Sequence, residues 1–139
     1  MSVSIYHEKV KLPLYHVHYE VFVSDDMDQL RQHIESIYRG LKIDVANHYG
    51  GYTAVVTHPE DGVTLMLLIN TKERTEGPSI ERTIFHECVH LSWNIMDGLG
   101  IKQDADDNEV QAYLMEELID NVSRVVRESK DSLGDISDL

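Results

Sequence analysis

A chain of 139 residues, 42% hydrophobic and 27% charged, has material for one domain with one core and is too short for two. Twelve basic residues face 25 acidic ones, leaving a formal net charge of −13, a field that repels nucleic-acid phosphates and anionic lipid and argues against either as the main partner. A single cysteine, Cys88, permits neither an internal disulfide nor a thiolate zinc cage, so any metal is held by histidine and carboxylate.

The first eleven residues carry Glu8, Lys9 and Lys11 and no apolar run, so they do not read as a secretory leader. No segment approaches the roughly eighteen apolar residues that span a bilayer, and a cytoplasmic protein is expected. Leu14 to Val23 alternates and is rich in Tyr, Val and Phe, which predicts a strand. Ser24-Asp25-Asp26 then supplies a helix N-cap. Met27, Leu30, Ile34, Ile37, Tyr38 and Leu41 follow at the three- and four-residue spacing of an amphipathic helix.

Two strands are predicted next, Gly51 to Thr57 and Val63 to Thr71, joined as an antiparallel hairpin through His58-Pro59-Glu60-Asp61-Gly62. The second is apolar on both faces, which places it well inside the sheet or under a helix. Ser79 caps a helix reaching about Asp97, with Ile84, Cys88, Leu91 and Ile95 as its buried stripe and Gly98 and Gly100 as its stop. A loop leads to a last helix starting at Asp106 or Asp107, with the stripe Val110, Leu114, Leu118, Val122 and Val125. The expected fold is α+β: a small mixed or antiparallel sheet of about three strands, one helix after the first strand, then two further helices. One domain is expected over residues 1–127, followed by a flexible acidic tail over 128–139.

His86-Glu87-Cys88-Val89-His90 is an HExxH sequence. Residues four apart on a helix share a face, so both imidazoles can reach one ion. Glu87, turned about 100° from His86, stands beside that ion, where it can take a proton from a metal-bound water. His86, His90, Trp93 and Asp97 form a stripe separate from the apolar one. Two histidines need a third ligand. Trp93 stands where a metzincin has glycine and Met96 where it has its third histidine, and no histidine follows His90. The third ligand is therefore a carboxylate or an upstream histidine.

With eighteen residues between His90 and Glu109, the last of them Asn108, the motif resembles that of the gluzincins, the thermolysin-like and aminopeptidase N-like zinc peptidases. The likeness spans about 35 residues, Ile80 to Leu114. It implies a zincin-like domain holding one zinc ion through His86, His90 and Glu109, with Glu87 as general base. The family often has Asp four residues after the ligand Glu; here that position is Tyr113, a candidate for stabilising the oxyanion. Asp97, Glu116 and Tyr113 are candidates to orient the ligands. The Leu99-Gly100-Ile101 loop and Ala112-Tyr113-Leu114 are also similar to small HExxH proteins of bacteriophages.

Two functions follow. One is a zinc metallopeptidase acting on a peptide or protein, with a strand such as Val63 to Thr71 pairing with substrate backbone. The other is a catalytically silent module in which zinc staples two helices and the acidic surface engages a partner protein. His16 and His18 are expected on one strand face, and Cys88 as a small core residue.

Overall fold

The computed structural model describes residues 5–46, 48–58, 62–72, 78–102, 104–105 and 108–134. Its four strands are β1 (Ile5–Leu12), β2 (Val17–Ser24), β3 (Gly51–His58) and β4 (Gly62–Asn70); its three helices are α1 (Met27–Ile37), α2 (Ile80–Leu99) and α3 (Glu109–Gly134). The strands form one mixed sheet in the order β1-β2-β4-β3. β1 and β2 are antiparallel, β2 and β4 parallel, and β3 and β4 an antiparallel hairpin, so the fold is α+β. Among the described residues no helix is long and apolar enough to cross a membrane.

Strand alternation sorts the side chains into two cores. Tyr19, Val21, Val23, Leu67 and Ile69 face α2 and α3, packing on Ile84, Cys88, Leu91, Ile95 and the α3 stripe from Leu114 to Val126. Phe22, Met66, Leu68 and Val56 face the other way, onto Met27, Leu30 and Ile34 of α1 and onto Ile43 and Val45. β4 serves both cores, which is why it reads as apolar throughout.

Local chemistry sets the helix ends. Asp26 accepts from Gln29 N at the start of α1, and Ser79 accepts from Arg82 N at the start of α2. Gly100, at φ 74°, closes α2 in the left-handed conformation that suits glycine, while Gly98 stays inside the helix. The α3 ladder opens with Ala112 N donating to Asn108 O; the expected starts at residues 106 and 107 lie outside the described residues.

Four differences from expectation have physical reasons. β1 escaped the sequence reading because polar His7, Lys9 and Lys11 alternate with Glu8, Val10 and Leu12, so that only its last third shows a buried apolar side, the charge pattern of an edge strand. α1 stops at Ile37, and Leu41 packs on the second core from outside the helix. His16 is not on a strand: it caps a short 3-10 turn at φ 53°, leaving His18 alone on exposed β2 surface. The segment expected to fray from residue 128 is helical to Gly134, because Ser129 is buried and Glu128 is tied to Arg124 at 3.0 Å.

Candidate metal centre on the second helix

α2 crosses the sheet with its apolar stripe inward, which turns His86 and His90 to the exposed side. At about 100° per residue, Arg82, Val89 and Trp93 share that exposed sector with the two histidines and Asp97. Glu87 and Thr83 lie a quarter-turn away, facing β3, and are buried at 7% and 5% exposure.

His86 Nε2 and His90 Nε2 stand 3.3 Å apart, with the rings at 73° to each other. Two nitrogens at 2.0–2.1 Å from one tetrahedral zinc, with an angle of about 109° between them, are about 3.3–3.4 Å apart. The pair therefore fits a shared ion; the same separation also suits one N–H···N hydrogen bond, with one ring as donor.

Glu87 is held from the side. Thr53 Oγ1, on β3, donates to Glu87 Oε1 at 2.7 Å and lies 3.3 Å from the Glu87 carbonyl oxygen. Gly51 makes the approach possible: a Cβ there would lie 2.8 Å from Glu87 Cγ and 2.9 Å from Thr83 Cγ2, both too close. β3 and α2 meet where one side chain is missing.

Two open grooves flank His86. One, of about 490 Å³, is walled by Arg82, Phe85, Val89 and His90. The other, of about 400 Å³, runs over Tyr49, Gly51, Thr83 and Glu87, with Arg82 again on its rim. Phe85 and Trp93 are 57% and 47% exposed on this side of the molecule. Cys88, between the motif residues, points into the core; burial, then the neighbouring Glu87 charge, pushes its thiol up to about 12, which removes it as a nucleophile.

Of the residues singled out by sequence, the structure brings His86, His90 and Glu87 together. Glu109 is exposed at the first residue of α3, and among the described residues no group of three His, Cys, Asp or Glu side chains is gathered as a metal would need. Nine residues of α2 continue beyond His90, about 13 Å of helix, before the chain turns back. Tyr113 is 61% exposed and lines neither groove, and Asp97 and Glu116 are exposed. Thr53, Gly51 and Arg82 were not picked out by sequence; only Arg82, one turn before His86, had a local signal. The strand Val63 to Thr71, expected to pair with substrate, is β4, whose Met66 to Ile69 stretch is paired on both sides. Among the described strands, the sheet edge beside α2 belongs to β3.

No family model matches the chain, and comparisons with curated proteins and with solved structures found no match.

Proposed function

We propose that this protein is a cytoplasmic, zinc-dependent peptide hydrolase of the gluzincin kind, with His86, His90 and Glu109 as metal ligands and Glu87 as general base. The observation that carries the reading is the 3.3 Å between the two Nε2 atoms, the chord of a shared tetrahedral ion, next to a buried carboxylate. Glu109 enters through the motif spacing, as an exposed side chain in the first turn of α3.

When bound, zinc supplies Lewis acidity, polarising the scissile carbonyl and lowering the pKa of the attacking water. The chain's own groups do the rest. Glu87 takes the proton that water loses as its oxygen bonds to the carbonyl carbon. It passes that proton to the amine nitrogen as the C–N bond breaks, and so ends ionised as it began. The edge of β3, unpaired among the described residues, can take substrate backbone as a fifth strand. Phe85 and Val89 offer an apolar wall for one side chain, and Arg82 a cation for a peptide oxygen.

A second reading, a silent zinc-stabilised binding module, draws support from the exposed Phe85 and Trp93. Elemental analysis separates the parts. Wild-type protein should carry about one equivalent of zinc, and H90A and E109A nearly none. Cleavage within a mixed peptide library should stop with chelator and return with zinc. Full zinc in E109A removes that residue from the ligand set. One equivalent of zinc with no cleavage, and a stoichiometric partner complex instead, decides for the binding module.

A further inference from the structure

We propose that Thr53 is a positioning residue for Glu87: its hydroxyl fixes one carboxylate oxygen so that the other handles the proton. The inference rests on the hydrolase reading and deepens it with a residue 34 positions away in sequence. Thr53 Oγ1 lies within reach of two acceptors, Glu87 Oε1 at 2.7 Å and the Glu87 carbonyl at 3.3 Å. A hydroxyl has one proton, and the shorter contact to the charged acceptor takes it, at a length suited to a charge-assisted bond. Threonine is β-branched, so its χ1 is restricted and the strand backbone aims the donor. The strand is itself held against α2 by the close approach at Gly51.

The result is an asymmetric carboxylate. Oε1 has its donor, and Oε2 has none among the described residues. The Glu87 side chain lines the groove it shares with His86 and Arg82, which is where the oxygen left without a donor would act. The terminal torsion of glutamate is soft, so an untethered carboxylate would present its oxygens in many orientations. The Thr53 bond removes that freedom before substrate arrives. Acting through Glu87 and touching no substrate, Thr53 should govern kcat and leave KM alone.

The test compares T53V, which removes the donor at nearly constant shape, with T53S, which keeps it. T53V should lower kcat by about 10- to 100-fold with KM within about twofold, and T53S should recover most of the loss. T53A repeats the comparison should T53V lose its fold. A second readout needs no turnover. In metal-free protein labelled at the glutamate carboxyl carbons, the Glu87 resonance, assigned by its absence in E87Q, should shift in T53V and return in T53S. An active wild type with an unchanged T53V, or an unmoved resonance, overturns the proposal and leaves the hydrolase reading standing. A wild type that cleaves nothing sinks both.

Discussion

Glu20 on β2 and Glu87 on α2 are almost equally buried, at 6% and 7% exposure, on opposite faces of the sheet. Glu20 is satisfied at both oxygens: His7 Nε2 lies 2.8 Å from Oε1, and Tyr38 Oη donates to Oε2. His7 is itself pinned by stacking on Phe22, ring centroids 4.1 Å apart. Burial alone would raise the Glu20 carboxyl, but the hydrogen bonds from His7 and Tyr38 outweigh it and hold it below the ordinary carboxylate value. Among the described residues Glu87 has one donor, Thr53, at Oε1, and its side chain lines a groove. A carboxylate closed on both sides ties elements together; one closed on a single side is available for proton transfer.

That contrast can be broken most sharply at Glu87 itself. E87Q should reduce peptide turnover by about 10²- to 10⁴-fold while zinc content and melting temperature stay at wild-type values; retained turnover would remove the base from the mechanism. G51A strikes the junction that supports Glu87. With 2.8 Å to Glu87 Cγ and 3.1 Å to the Leu68 carbonyl, the added methyl should cost about 1–3 kcal/mol in urea denaturation and lower kcat as well. E20Q should do the reverse of E87Q, costing about 1–2 kcal/mol of stability with turnover unchanged.

The same variant carries a pH signature. Because folded Glu20 is held below its ordinary value of 4.5, the unfolded chain takes up that proton first. Its contribution is present in full above that value and is lost as pH falls through the lower folded one, so E20Q should flatten this part of the acid limb in denaturation measured against pH. The smallest effect is expected at Arg124, which bonds Glu8 at 2.7 Å and Glu128 at 3.0 Å and ties α3 to the edge strand. These groups are partly exposed, so R124M should cost about 1 kcal/mol or less, shrinking with added salt.

What could be read from sequence was what depends on near neighbours. Ser79, Gly100 and the Ile84, Cys88, Leu91, Ile95 stripe each act within a turn or two, and α2 appears where they predict. The Val63 to Thr71 apolar run marked a central strand, and β4 is one. β1 carried the alternation of a strand, but its charges masked it. Thr53 and Gly51 could not be found this way, since their meaning arises only when β3 meets α2 across 30 or more residues. Glu109 makes the complementary point. The number of residues between His90 and Glu109 does not determine the distance between them, because residues in helix advance about 1.5 Å each and those in extended chain over twice that.

Cys88 is the protein's only thiol and is wholly enclosed at the back of α2, one residue from Glu87. A thiol reagent can reach it only when that helix lifts from the sheet, so the labelling rate gauges how often the motif opens in the native state. Slower labelling after zinc is added would put a number on how firmly the ion clamps the helix, read from an atom that takes no part in the chemistry.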